Sequence, residues 1–406
     1  MTKITLHCFS ISLALQLFST SSMAGGFRLP EYTAAGVATS NALVADAERI
    51  SAIAYNPAIM NIVAQDPEQS SLFSTNLTHI NYETEVTSGG TTTQGTGKTD
   101  FDVPNLFVSN RISEKFSIGL LIHSPFGLET AWPTNTFTSF GGTAALEPNL
   151  SRIKMFNANV NFGYKVDNET GLSIGLNQYR LLDLQFNSHA TVIQGTGTGY
   201  GWNAAIISKL DDSVTLGMSY RSPVKTRATG TAASVLPVEV DVTFPEMLSA
   251  GINYAVNHKL KLELDVEYTG WKKFDNLNIR RQTNDSTLTL STNNWKNTLT
   301  YRASGQYKIN KHQILFGYSY DETPQEDSSY SARIPDADRQ LFSIGYQYDF
   351  GSYQFETGLM LVKFKERTIN SSTAYVAASE ANGTTAYNGT YQAGATVLSI
   401  GMNVAF

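Results

Sequence analysis

The sequence predicts an all-β chain closed into a 14-stranded antiparallel transmembrane β-barrel. Three observations carry this expectation: long stretches of two-residue alternation, connections that alternate between short and long, and a composition poor in charge yet free of long apolar runs. Of the 406 residues 16% are charged and 41% hydrophobic. Soluble chains carry about a quarter charged residues, so an aqueous globule is a poor fit, while the hydrophobic content is too high for a disordered chain. Beyond the first two dozen residues no apolar run approaches the roughly 20 residues that a membrane-spanning helix needs.

Taken in order, the chain opens on Lys3, the mostly apolar stretch Ile4 to Phe18, and Ser22-Met23-Ala24. A positive start, an apolar middle and a small-x-small end make residues 1–24 a secretory signal. Its removal would take away Cys8, the single cysteine, and with it disulfides, thiolate metal sites and cysteine nucleophiles. A net charge of -6 without a basic stripe argues against nucleic acid as a partner.

Residues 25–69 come next, rich in alanine (Ala34, Ala35, Ala38, Ala42, Ala45, Ala47, Ala52, Ala54). The segment is too long for a tail and too apolar for a linker; it could fold back as a plug inside the barrel formed by residues 70–406, or form a periplasmic extension or a disordered leader below it.

The barrel rests on alternation. Leu260, Leu262, Leu264, Val266 and Tyr268 enclose Lys261, Glu263, Asp265 and Glu267, and Phe342, Ile344, Tyr346, Tyr348 and Phe350 repeat the pattern. A period of two over nine or ten residues gives a strand with one apolar and one polar face, long enough when tilted to cross a bilayer. Fourteen strands are predicted near residues 71–86, 101–111, 115–124, 151–165, 171–187, 199–210, 213–224, 238–255, 259–275, 295–308, 312–321, 338–350, 352–366 and 391–406. Short connections such as 210–213 and 350–352 alternate with long ones such as 124–150 and 366–390, as in an outer-membrane barrel with an even strand number. Backbone groups in hydrocarbon must all be paired, so such a sheet must close. A ring of fourteen strands is wider than its own side chains fill.

The segment GGFRLPEYTAAGVATSNALVADAERISAIAYNPAIM, with Asn56-Pro57-Ala58, resembles the amino-terminal hatch of the FadL-type outer-membrane transporters of long-chain fatty acids and other hydrophobic compounds. Tyr220-Arg221-Ser222-Pro223, Phe244-Pro245-Glu246-Met247, Tyr268-Thr269-Gly270-Trp271 and Ile334-Pro335-Asp336-Ala337-Asp338-Arg339 extend the resemblance along the chain. It implies a hatch-closed barrel through which an apolar ligand diffuses passively, binding an apolar pocket and leaving sideways through a wall gap at a kink in the third strand. Pro125, Phe126 and Gly127 fall at the matching place; Pro125 lacks a ladder donor and Gly127 tolerates a bend. Fatty-acid members place two cations at positions that align near Gln185 and Ser291, neither of which is charged. Arg180 and Lys296 are the nearest replacements. Lys296 shares the parity of the presumed lumen residue Arg302, whereas Arg180 would face lipid unless a bulge turns it.

The expected partners are a long-chain fatty acid or similar hydrophobic molecule and outer-membrane lipid, with the protein monomeric and no cofactor. The glycine-rich run Gly195 to Gly201 lacks the lysine and helix of a phosphate loop and reads as a flexible loop. His123 and Ser124 are neighbours on opposite faces of a strand and cannot act on each other. The scattered histidines lack metal-ligand spacing, so neither a metal site nor an enzyme is expected. The alternatives are a general porin and a surface adhesin or receptor that uses the long loops.

Overall fold

The computed structural model describes residues 25–63, 70–137, 140, 144–377 and 379–406. The predicted signal 1–24 and residues 64–69 of the predicted plug lie outside them.

Fourteen antiparallel strands follow one another around a ring. They are Ser71–Ser88, Asp100–Arg111, Phe116–His123 continued by Gly127–Ala131, Pro148–Lys165, Thr170–Ser188, Ile193–Lys209, and Val214–Arg221 continued by Val224–Ala232. The second half comprises Leu236–Phe244 with Met247–Ala255, Leu260–Thr269 with Asn276–Arg281, Thr287–Thr292 with Thr298–Ile309, His312–Asp321, Arg339–Asp349, Tyr353–Phe364 with Arg367–Ile369, and Gly389–Ala405. The last strand pairs back onto the first from Leu72↔Ala405 to Thr87↔Thr390, which closes the barrel.

Burial along the strands is inverted relative to a soluble sheet. On the ninth strand Leu264 is 59% exposed while its neighbours Glu263 and Asp265 are buried. On the fifth, Ile174 and Leu176 are exposed and Ser173 and Asn177 buried. An apolar outside and a polar inside identify the outer surface as the lipid-facing one.

The seventh and eighth strands carry a second level of organisation. Below the break at Ser222-Pro223 the apolar residues Leu216 and Met218 are exposed; above it Val224 and Ala228 are buried. Across Pro245-Glu246 the same exchange separates buried Val238, Val240 and Val242 from exposed Leu248 and Ile252. Proline cannot continue a ladder, and each break turns the apolar side from the lipid to the lumen. The upper barrel is therefore a cup lined with apolar side chains, its outside covered by pairs such as Arg227–Asp241 and Arg280–Glu239.

The strands are longer at their upper ends than the alternation suggested, for the same reason: where the apolar face turns inward the lipid-facing pattern stops, but the ladder continues. The run Gly195 to Gly201 is not a loop but part of the sixth strand, paired with the fifth strand along its length and with the seventh from Gly195 to Thr198. A Cβ on Gly197 would lie 2.6 Å from Arg227 O, so glycine here permits close strand contact rather than flexibility.

Candidate functional site

The segment 25–62 lies within the ring, and apart from Glu48 all of it is buried. Its regular structure is slight. Thr33 caps the short helix Ala34–Ala38, its side chain accepting from Gly36 N. Asn56 caps the turn Pro57–Asn61, with Pro57 in the first position, where a missing N–H costs nothing. The Asn56 side chain accepts from Ala58 N and donates to Val44 O at 2.8 Å and Ile206 O at 2.9 Å, tying the segment to itself and to the sixth strand. Ala58 is fully buried.

Many other ties to the wall involve a charged side chain. Val44 N and Ala45 N donate to Asp265 and Glu263, and Arg28 pairs with Glu267, which also faces Arg302. Arg49 reaches Glu356 at 2.7 Å, Asp46 at 3.1 Å, and the side chains of Gln306, Gln313 and Gln347. The wall makes room in turn: a Cβ on Gly217 would lie 2.1 Å from Val44 O.

The upper end of the segment enters the apolar cup. The Phe27 ring, fully buried, lies 4.8 to 6.2 Å from the rings of Phe126, Phe244, Trp271, Phe274 and Trp295. Tyr179, Leu181, Met155, Val240 and Ile279 continue this cluster along the wall. Buried indole Nε1 atoms of Trp271 and Trp295 have no protein acceptor among the described residues, which gives the cage two donors for a ligand oxygen. Next to Phe27, Gly26 N donates to Asp336 Oδ2 at 3.1 Å, which also accepts from Thr323. Burial raises the Asp336 carboxyl to about 7 against the opposing effect of those bonds.

Pro125, Phe126 and Gly127 form the junction between this cage and the wall. Below them the third strand pairs with the second from Arg111↔Ser117 to Leu106↔Ile122. Above them Gly127–Ala131 pairs with the fourth strand alone, so among the described residues Asp100 to Asn105 of the second strand have no strand partner on that side. Register against the fourth strand passes from His123↔Asn157 to Gly127↔Lys154, four residues facing three, as in a bulge. The amino-terminal segment takes the freed backbone: Leu29 N donates to Pro125 O at 3.0 Å and Gly127 N to Phe27 O at 2.9 Å.

Above the cage a cavity of about 480 Å³ opens between the extracellular connections, lined among others by Phe186, Ile193, Leu236, Leu288, Ser291 and Arg333. Phe186, Ile193, Leu236 and Leu288 also pack against the apolar cluster around Phe27, so cavity and cage form one continuous apolar surface.

The structure separates the four predicted ligand-binding residues. Ser291 lines the cavity. Gln185 bonds with Asp183 and Asn187, beside the Arg152–Asp183 pair, and does not line it. Arg180 is exposed and donates to Thr198 across the outer face; the bulge that alters parity begins after it, at Leu181/Leu184. Lys296 corrects the parity argument. It lies in the irregular break 293–297, and there Trp295 is buried while Lys296 is exposed, because alternation does not carry through unpaired backbone. Arg333, which sequence reasoning passed over, is the cation at the cavity; it lies in a connection, where no periodicity marks it.

Among known proteins, the family model described as outer membrane protein transport protein (OMPP1/FadL/TodX) matches residues 15–406. The long-chain fatty acid transport protein of Salmonella typhi is 25% identical over 391 residues, covering 84% of this chain and 88% of its own. Outer membrane protein P1 of Haemophilus influenzae is 24% identical over 405 residues, with coverage of 84% and 86%. In fold, the crystal structure of a Pseudomonas aeruginosa FadL homologue superposes with a TM-score of 0.78 at 17% identity, covering 94% of this chain and all of that one. The P. putida toluene transporter TodX gives 0.62 at 15% identity, with coverage of 88% and 94%.

Proposed function

Since the chain belongs to the OMPP1/FadL/TodX family of outer membrane transport proteins, we propose that it carries hydrophobic small molecules, long-chain fatty acids among them, by passive diffusion and lateral exit. The ligand enters the 480 Å³ cavity, a size within the roughly 300–1,000 Å³ of small-molecule pockets. It then moves along the apolar lining to the aromatic cage. Leaving that lining for water would cost about 0.8 kcal/mol per CH₂, so a route through an aqueous pore is unfavourable and a sideways exit into lipid is not. The segment 25–69 acts as a hatch, and its displacement opens the way out.

One observation carries this reading: residues 27–29 fill the aromatic cage and bond to the third-strand kink at once. Phe27 fills the cage, while its own carbonyl and Leu29 N hold the backbone of the third-strand kink. A ligand that takes the place of the ring must release the kink, so occupancy and opening are coupled through three residues.

The deciding measurement is uptake of labelled oleate by cells that lack a resident long-chain route and express this chain. Uptake should appear with the protein and be lost when residues 25–29 are tethered to the wall. Large, stable single-channel currents from the purified protein in planar bilayers would instead indicate an open porin.

A further inference from the structure

Resting on the transport reading above, we infer that Arg333 is the residue by which this chain recognises the anionic head of its ligand, so that the outer cavity selects ionised amphiphiles over neutral molecules of equal chain length. Arg333 lines the cavity, and its guanidinium lies over the Phe186 ring at 3.8 Å. Its Nη1 is fixed by Asn187 O at 2.7 Å and Ser151 Oγ at 3.2 Å. Arg333 is in ion-pair contact with no carboxylate among the described residues, in contrast to Arg28, Arg49, Arg152 and Arg339. Glu380 also lines the cavity, but accepts from Thr292 N and stands beyond ion-pair distance of Arg333. A guanidinium held flat by stacking and by neutral acceptors is a preorganised fork for a carboxylate. The apolar side chains beside it, Phe186, Ile193, Leu236 and Leu288, would receive the attached chain. Gln185 and Ser291, where the resemblance implies cations, are uncharged, and Arg333, in the connection between the eleventh and twelfth strands, lines the same cavity as Ser291.

The test compares initial uptake of oleate and methyl oleate by cells expressing wild type, Arg333→Gln or Arg333→Lys at matched amounts of assembled barrel. Oleate uptake at subsaturating concentration should fall about ten- to hundredfold in Arg333→Gln, the range of a charge-assisted hydrogen bond. Methyl oleate should stay within about twofold, and Arg333→Lys, which keeps the charge without the fork, should lie between on oleate. Equal losses on both ligands, or no loss on oleate, would overturn the assignment, as would a wild type that carries the ester and not the acid. If Arg333→Gln fails to assemble, Arg333→Lys decides by the same ratio of acid to ester. A wild type that carries neither ligand would remove the transport reading itself, and the assignment with it.

Discussion

Phe27 is a single ring in contact with five others, and its removal separates packing from occupancy. Phe27→Ala should destabilise the amino-terminal segment by about 3–5 kcal/mol, the usual cost of deleting a buried aromatic. It should also raise apparent affinity for a hydrophobic ligand, because a site no longer occupied by its own ring carries no penalty for displacing it. Titration of oleate against the emission of Trp271 and Trp295 reads both effects; weaker binding would show that the ring shapes the pocket rather than fills it. Asp336 offers a second residue-level test. Its carboxyl is held at about 7, above the ordinary value near 3.9, so the folded contact binds the proton more tightly than the unfolded chain. The stabilisation is complete in acid below about pH 4 and is lost as pH rises through 7. Thermal midpoints measured from pH 5 to 8 should fall in wild type and flatten in Asp336→Asn. Neither residue is marked by the sequence as a site, since Phe27 meets its cage, and Asp336 meets Gly26, only through pairings some 100 to 310 positions apart.

Strands were legible where chemistry repeats every second residue and illegible where it does not. The lipid-facing pattern from Leu260 to Tyr268 appears as one complete strand because the membrane imposes it on every outward position. The upper halves escaped because Val238, Val240 and Val242 obey the opposite rule, apolar toward the lumen. The predicted strands 213–224 and 238–255 run through Pro223 and Pro245, where the structure breaks and reverses the faces, and Lys296 is misplaced in the same way, by carrying alternation through a break. In the proposed route the kink is the element on which the exit depends. Deleting Pro125 would leave three residues facing three on the fourth strand in place of four, allowing the third strand to run on and offer Gly127–Ala131 to the open edge of Asp100 to Asn105. The expected outcome is a barrel that still shifts on a gel when heated, and oleate uptake reduced at least tenfold, a loss of about 1.4 kcal/mol or more. Unchanged uptake would place the exit elsewhere.

At the scale of the whole molecule, the closed wall and the segment inside it are stabilised by different means. The wall is held by backbone pairing that runs around the ring, every strand bonded on both edges over most of its length. The interior is held mainly through side chains, and the Arg49 cluster joins it to strands ten to thirteen at once. Truncating Arg49 leaves the buried Asp46 and Glu356 carboxylates without their cation, and breaking such a pair costs roughly 3–5 kcal/mol. Because the wall does not depend on it, Arg49→Ala should leave the β-sheet circular dichroism and the melting of the barrel nearly unchanged. Protease cleavage within residues 25–63 should become faster, and brief conductance events should appear in planar bilayers. The double variant Arg49→Ala/Glu356→Gln should recover part of the loss, since a neutral amide tolerates burial that an unpaired carboxylate does not. If Arg49→Ala instead lowers the melting of the whole barrel by as much as it loosens the segment, then wall and interior fold as one unit, and a ligand cannot shift one without the other.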